Sequence, residues 1–328
     1  MAKILCMDFG FTTIRKEVAA WAAKHDLGLE FCAPKTQEEY LKLFANNDVK
    51  IIVNTWPDAR AFGGYTDDMI HKIAASGVKA IIHQGAGFDV VGDVHLWKQL
   101  GVTVSNCPQS PAPDTADTAI YLLLGAMRHL PKYEKSLREG KFRGNKSITP
   151  SIQGKKLGIL GMGNIGRLIR DRALPFGFSQ IYYHQRSRLA PELEKDSIFL
   201  PDVDEFLGTV DIVVLVAPHN KATHHIISRE RMFNVMKDSA TIVNVARGPL
   251  IDEAALVEAL DSDKINGAGL DVFEYEPEVH PGLIKSDKTL LLPHIAAMTE
   301  YNLHNLEKEI FTFLQTYVEE GKVLNQVN

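Results

Sequence analysis

Residues Leu157 to Ile169 read L-G-I-L-G-M-G-N-I-G-R-L-I. An apolar run ends in Gly161-Met162-Gly163-Asn164-Ile165-Gly166, and an amphipathic run follows directly. A G-x-G-x-x-G spacing between a strand and a helix restricts the local fold to very few solutions. Gly161 permits the tight turn, Gly163 lets the backbone approach a pyrophosphate, and Gly166 lets the helix pack close to the strand. The helix start adds N–H groups without intrahelical partners and a partial positive charge. The segment is therefore expected to hold a dinucleotide.

The next strand, Q-I-Y-Y-H-Q, runs into Arg186-Ser187-Arg188. A carboxylate at this place would hydrogen-bond a free ribose hydroxyl and repel a 2′-phosphate. Two guanidinium groups would pair with that phosphate, and Ser187 could donate its hydroxyl to it. The expectation is NADP(H) rather than NAD(H).

Around this unit the chain alternates short apolar runs with helical patterns. K-I-L-C-M-D-F, L-G-L-E-F-C-A, V-K-I-I-V-N-T, V-K-A-I-I-H-Q-G-A-G and V-T-V-S-N-C-P read as five strands separated by helices. Such alternation predicts a parallel sheet covered on both faces. The proline-rich stretch from Cys107 to Ala119 reads as a domain crossing, because Pro108, Pro111 and Pro113 push their predecessors out of the helical region. A long helix is expected from about Thr115 to Lys135, capped by Asp114 or Thr115. Six apolar strands follow, K-K-L-G-I-L-G, Q-I-Y-Y-H-Q, D-I-V-V-L-V-A, A-T-I-V-N-V-A, I-N-G-A-G-L-D-V and T-L-L-L-P-H, which suit a second doubly wound sheet. The last helical pattern, from Asn302 to Gly321, could pack on either domain. A length of 328 residues accommodates two such domains.

Composition excludes several function classes. Net charge is −5 without long runs of one sign, which argues against a general nucleic-acid binder. Cys6, Cys32 and Cys107 are far apart, so free thiols in a reducing compartment are expected. No apolar stretch approaches the ~18 residues of a membrane span, and M-A-K-I-L-C-M-D-F-G reads as a first strand rather than a signal peptide. A soluble cytoplasmic protein is the default. His219, His224 and His225 lack a carboxylate or cysteine at a recognisable ligand spacing, so no metal is expected. A Tyr-x-x-x-Lys pair, which short-chain dehydrogenases need, does not occur.

Three strand ends of the second half each carry one reactive group. I-V-N-V-A-R-G-P-L-I-D presents Arg247, G-A-G-L-D-V-F-E-Y-E-P reaches Glu276, and L-L-L-P-H-I-A-A-M-T presents His294. Ligands of open α/β sheets bind beyond the carboxyl ends of the strands. Arg247 can hold a carboxylate with a bidentate fork and polarise an adjacent carbonyl. His294 can donate a proton to a developing alkoxide. Glu276 can orient the imidazole and stabilise its protonated form.

At these motifs, and at H-Q-G-A-G-F-D in the first half, the chain resembles the D-isomer-specific 2-hydroxyacid dehydrogenase family over nearly its whole length. The cofactor segment is most similar to the NADPH-dependent glyoxylate/hydroxypyruvate reductase branch and to fungal relatives acting on bulkier 2-keto acids. The resemblance implies an NADPH-dependent 2-keto acid reductase forming D-2-hydroxy acids. Its fold would be a Rossmann cofactor domain, residues 107–295, inserted in a flavodoxin-like substrate domain, residues 1–106 and 296–328. Arg247 would bind the substrate carboxylate and carbonyl, His294 would be the general acid/base and Glu276 its partner. The amides of Ala86 and Gly87 would also hold the carboxylate. Gly163, Asn164 and Ile165 would contact the pyrophosphate, Ala217 and Pro218 the adenosine, and Ala246 and Asp271 the nicotinamide. The long helix would be the arm of a homodimer.

The chain departs from the family at P-H-I-A-A-M-T-E-Y-N, where Tyr301-Asn302 replaces a frequent Thr-Arg pair, and at His219 after Pro218. Trp56 sits on a loop that varies in the family, where it could line a pocket for an aromatic or long side chain or serve in packing. The expectations are thus a reductase of bulky 2-keto acids, a glyoxylate/hydroxypyruvate reductase for small ones, or an NADP(H)-binding corepressor-like interaction protein.

Overall fold

A computed structural model of the chain describes residues 1–142 and 148–328. The chain forms two compact units, Met1–Pro111 with Met298–Asn328, and Ala112–Ala297. The stretch Cys107–Pro111 therefore belongs with the first unit. Cys107 N donates to Gly85 O at 3.0 Å, and Ser110 N and Oγ both donate to Glu309 of the last helix.

The first unit is a parallel five-stranded sheet of β1 (Lys3–Met7), β2 (Gly28–Cys32), β3 (Val49–Thr55), β4 (Ala80–Gln84) and β5 (Thr103–Asn106). Its order, β2-β1-β3-β4-β5, is the flavodoxin-like one. Side chains alternate between the two faces. Along β1, Leu5 and Met7 enter one apolar cluster, with Ile70, Ile73 and Trp97, while Ile4 and Cys6 enter another, with Phe11, Trp21 and Ile310. The last helix, Glu300–Glu320, belongs to this second cluster through Leu306, Ile310, Phe311 and Leu314. The i, i+4, i+5, i+8 spacing of those residues makes one apolar stripe. Glu307 on the same helix is fully buried and accepts from Thr12, Thr13 and Ile14, which fixes the turn before the helix Arg15–Lys24.

The second unit is a parallel sheet of β6 (Lys156–Leu160), β7 (Gln180–His184), β8 (Ile198–Phe199), β9 (Ile212–Leu215), β10 (Ala240–Asn244), β11 (Ile265–Leu270) and β12 (Thr289–Leu291). The order β12-β11-β10-β9-β6-β7-β8 reverses direction between β6 and β9, which is where a doubly wound sheet opens its ligand crevice. Leu157 and Ile159 point into one covering layer and Leu160 into the other, as do Ile212 and Val214 against Val213 and Leu215.

Two sequence expectations need correction. The long helix is two: Ala112–Met127 and Leu130–Arg138. Pro131 cannot continue the first helix, having no N–H and a ring that collides with the preceding turn. His129 turns the chain with φ +48° and binds Asn266 O at 2.7 Å through Nε2. At the other end the helix begins three residues before Thr115, because Pro113 is tolerated in a first turn. The sheet also carries a seventh strand, β8, whose two residues pair with Tyr182 and Tyr183. No helix of the described residues is long and apolar enough to cross a membrane.

Candidate active site

The glycine turn leaves β6 with Gly161 at φ +102°, a conformation that favours glycine. A Cβ at Gly161 would lie 2.8 Å from Ala217 N, and one at Gly166 would lie 2.2 Å from Gly161 O. The turn is thus closed against the end of β9 on one side and against its own helix on the other. A Cβ at Gly163 would meet no atom within 4 Å among the described residues, so the backbone is open there to a phosphate. The helix Asn164–Ala173 starts at this point, with Asn164 and Ile165 in its first turn. These residues fit a dinucleotide pyrophosphate. Ala217 and Pro218 leave β9 beside the turn; Ala217 is buried.

Beyond β7, Arg186 and Ser187 are exposed. Arg188 Nε and Nη2 form a fork on Glu194, at 3.0 and 2.9 Å from Oε2. Glu194 is buried, also accepts from Tyr183 Oη at 2.8 Å, and is held below the usual carboxylate range first of all by the Arg188 hydrogen bond. Sequence reasoning missed this partner, which is six residues away on a short helix. It also missed Gln185. That side chain accepts from Met162 N at 3.0 Å and donates to Ser187 O at 2.7 Å, so it ties the glycine turn to the two-arginine turn.

The turns after β10, β11 and β12 carry the three reactive groups. Arg247 is half-buried, and its Nη1 donates to Ala246 O at 2.7 Å. The turn before it is set by fully buried Asn244, which accepts from Ala246 N at 3.0 Å and donates to Arg247 O at 2.8 Å. Glu276 Oε2 lies 3.0 Å from His294 Nδ1, while its Oε1 accepts from Phe273 N at 3.0 Å. The carboxylate thereby fixes the ring orientation and turns Nε2 to the opposite side. His294 itself has φ +56°, a rare region for a residue with a side chain. The turn is held there by Asp271: His294 N donates to its carbonyl at 2.7 Å, and Ile295 N and Ala296 N donate to its two carboxylate oxygens at 2.8 and 2.9 Å. Burial raises the Asp271 carboxyl pKa, and those two amide bonds oppose the rise. Next to the pair, His225 Nε2 meets Glu274 Oε1 at 2.8 Å, and Glu274 N donates to buried Glu253 at 2.7 Å.

The Arg247 turn and the Glu276 turn are pressed together at one point. A Cβ on Gly248 would fall 1.8 Å from Phe273 C and 2.2 Å from Glu274 N. No larger residue allows the two backbones this approach. The structure therefore brings the His294 and Glu276 side chains together and holds the Arg247 turn against the Glu276 turn.

In the first unit, Trp56 opens the helix Trp56–Ala61, is half-buried against the core beside β3, and has the Arg60 guanidinium 5.1 Å from its ring centroid. Ala86 and Gly87 lie in the turn after β4, where Gly85 has φ +126°.

A family profile described as "D-isomer specific 2-hydroxyacid dehydrogenase, NAD binding domain" matches residues 120–296. The chain is 42% identical over 281 residues to 4-methyl-2-oxopentanoate reductase A of Aspergillus oryzae, covering 86% of this chain and 84% of that protein. The structure is similar to that of a glyoxylate reductase from Paecilomyes thermophila, with a TM-score of 0.92, 35% identity, and 99% and 98% of the two chains covered. It is also similar to an NADPH-dependent glyoxylate/hydroxypyruvate reductase from Sinorhizobium meliloti in complex with NADP and malonate, with a TM-score of 0.83, 27% identity, and 99% and 96% covered. The chain is an NAD(P)-binding oxidoreductase that belongs to the D-isomer specific 2-hydroxyacid dehydrogenase family.

Proposed function

We propose that the chain reduces 2-oxo acids to D-2-hydroxy acids with NADPH, reversibly, and favours substrates with a bulky side chain. The observation that carries the reading is the Glu276–His294 pair at 3.0 Å, on turns fixed by Asp271 and Gly248 beside Arg247. Arg247 grips the substrate carboxylate through two N–H groups and polarises the adjacent carbonyl. The amides of Ala86 and Gly87 hold the same carboxylate. Bound NADPH supplies the hydride that C2 receives. His294 passes a proton from Nε2 to the carbonyl oxygen, which completes the hydroxyl, and solvent reprotonates the ring. Glu276 keeps Nδ1 protonated and the ring aimed. Gly161, Gly163, Asn164 and Ile165 hold the pyrophosphate, Ala217 and Pro218 flank the adenosine, and Ala246 flanks the nicotinamide. Asp271, whose carboxylate is occupied by two amides, acts there through the turn it shapes.

The NADPH preference rests on Arg186, Ser187 and Arg188. Arg188 neutralises Glu194, so Arg186 brings the net positive charge a 2′-phosphate needs. The bulky-substrate preference is supported by the named activity of the Aspergillus oryzae relative, and Trp56 is the candidate pocket wall. A preference for small substrates is the competing reading, favoured by the glyoxylate reductase likeness. Exposed Tyr121 and Leu137 on the helices that open the second unit support a homodimer, and three free thiols support a cytoplasmic protein.

Initial rates with NADPH and NADH over glyoxylate, hydroxypyruvate, pyruvate, 4-methyl-2-oxopentanoate and phenylpyruvate test the reading. NADPH-dependent turnover that rises with side-chain size is expected. A glyoxylate optimum removes the bulky preference, and an NADH optimum removes the arginine argument. NADPH binding without any turnover would move the function to the corepressor-like alternative.

A further inference from the structure

Beneath the Ala86–Gly87 turn lies a row of buried polar side chains that the mechanism above does not use. Tyr40 Oη meets Tyr65 Oη at 2.7 Å, Tyr65 Oη donates to Asn54 Oδ1 at 3.1 Å, Asn54 Nδ2 meets His83 Nδ1 at 2.7 Å, and His83 Nε2 meets Gly87 O at 2.9 Å. Tyr40, Asn54 and His83 are fully buried, and Tyr65 nearly so. The row has one consistent direction. Gly87 O can only accept, so His83 carries its proton on Nε2. Nδ1 then accepts from Asn54 Nδ2, which leaves Asn54 Oδ1 to accept from Tyr65 and the Tyr65 oxygen to accept from Tyr40. Each group fixes the polarity of the next, and every member is neutral.

The turn's other carbonyls are held from the same unit. Gly85 O accepts from Cys107 N at 3.0 Å, and Ala86 O accepts from Asn106 Nδ2 at 2.5 Å. Asn106 is in turn held by Asn325 of the C-terminal segment, whose Nδ2 donates to Asn106 O at 3.0 Å. A trans peptide points its N–H opposite to its C=O. Pinning the carbonyls of Gly85, Ala86 and Gly87 into the unit therefore turns the amides of Ala86, Gly87 and Phe88 outward together.

We propose that the Tyr40–Tyr65–Asn54–His83 row is a positioning device for the 2-oxo acid carboxylate, in which a neutral, Nε2-protonated His83 fixes the Gly87–Phe88 peptide and thereby the backbone course of the turn whose Ala86 and Gly87 amides hold the carboxylate. The inference rests on the proposed role of the Ala86 and Gly87 amides. It assigns to four residues distant in sequence a part in substrate affinity, with none of them touching the substrate. Tyr65→Phe removes the donor to Asn54. The Asn54 amide is then free to turn over and present its oxygen to His83, which drives the ring proton to Nδ1 and sets two lone pairs, Nε2 and Gly87 O, against each other.

The test uses the full chain and the 2-oxo acid with the highest turnover among the five above. In Tyr65→Phe and His83→Phe, KM for the 2-oxo acid should rise about tenfold, as for one lost buried hydrogen bond. Saturating kcat and the Kd of NADPH should stay within about threefold. Asn54→Asp should restore a KM near wild type, because a carboxylate there stabilises an imidazolium that still donates to Gly87 O. Nitrogen-15 NMR of histidine-labelled protein should show His83 as the neutral Nε2–H tautomer, without titration between about pH 6 and 9. An Nδ1–H tautomer overturns the proposal, as does a parallel loss of kcat, KM and NADPH affinity. Ala86→Pro, which deletes an amide itself, separates the two levels. A raised KM in Ala86→Pro with no change in the Tyr65 and His83 variants overturns the row and keeps the carboxylate reading. No change in any of them overturns both.

Discussion

Replacing Gly248 by alanine tests whether the Arg247 and Glu276 turns must touch. The residue's φ lies outside the left-handed region, so an alanine meets no backbone strain of its own. Its Cβ would stand 1.8 Å from Phe273 C, 2.0 Å from Phe273 O and 2.2 Å from Glu274 N. Carbon contacts settle at about 3.5–4.0 Å, so the turns must part by roughly 1.5–2 Å. Neither is a flexible side-chain end that could swing aside. Forced separation of packed groups costs about 1–3 kcal/mol, and a displacement of about 1 Å in a catalytic array costs about a hundredfold in rate. Gly248→Ala should therefore lower kcat/KM for the 2-oxo acid by about a hundredfold or more and lower the melting temperature by a few degrees. NADPH affinity should fall far less than kcat/KM, because the pyrophosphate turn leaves β6, two strands removed from β10, and only Ala246 of the proposed cofactor contacts lies on the displaced turn. Steady-state kinetics, a thermal melt and an NADPH titration read all three quantities. A folded Gly248→Ala protein with kcat/KM within about threefold of wild type would refute the claim that this contact sets the site.

Four further variants probe other contacts of the fold and the proposed site. His294→Gln should lower kcat by about 10²–10⁴-fold while NADPH binding stays intact, and an equal loss of both would assign His294 a structural part. Arg186→Ala should raise KM for NADPH about tenfold and leave KM for NADH unchanged; Arg188→Ala should also bare the Glu194 charge toward the phosphate, so adding Glu194→Gln should recover part of its loss, and steady-state titration of both cofactors checks each. For Glu307, burial alone would raise the carboxyl pKa, but the hydrogen bonds from Thr12, Thr13 and Ile14 outweigh it and the net shift is downward. A carboxylate depressed in the folded state stabilises above its unfolded value and loses that stabilisation as pH falls through the folded value. Glu307→Gln should thus unfold about 2–3 kcal/mol more easily at neutral pH, and the difference in urea midpoint should shrink below about pH 4.

The glycine turn, the five strands of the first sheet and the strand ends bearing Arg247, Glu276 and His294 were legible because each rests on a short-range pattern. Strand alternation shows in Lys3–Met7, and G-x-G-x-x-G demands its own turn. The break at His129 was visible as Pro131, yet the apolar periodicity runs on through it and masks the stop. β8 was not legible, since two residues cannot display an alternation, and its place depends on Tyr182 and Tyr183 beside it. The partners of the site were hidden for another reason. Nothing local marks Asn54 as the neighbour of His83, 29 residues on, or Gln185 as the partner of Met162, 23 residues back. Parallel sheets bring strand ends together only through crossovers, so such pairs arise from topology.

The same topology explains why those hidden partners exist. Turns at the carboxyl ends of parallel strands leave the ladder with backbone groups that neither sheet nor helix satisfies, and buried groups of this kind must find partners. Asn244 serves the turn before Arg247, Asp271 the turn after His294, Gln185 the glycine turn, and His83 and Asn106 the Ala86–Gly87 turn. Each is a polar side chain in the last two residues of a strand or just beyond it, hydrogen-bonded to the backbone of a turn that carries a candidate site residue. The turns are thereby fixed by side chains that do not themselves need to meet a ligand. Trp56, the pocket wall proposed above, lies outside this set; its ring packs against the core of the first unit and has the Arg60 guanidinium 5.1 Å from its centroid. Changing Trp56 should accordingly alter which 2-oxo acid is preferred while the turns, and the chemistry they carry, stay in place.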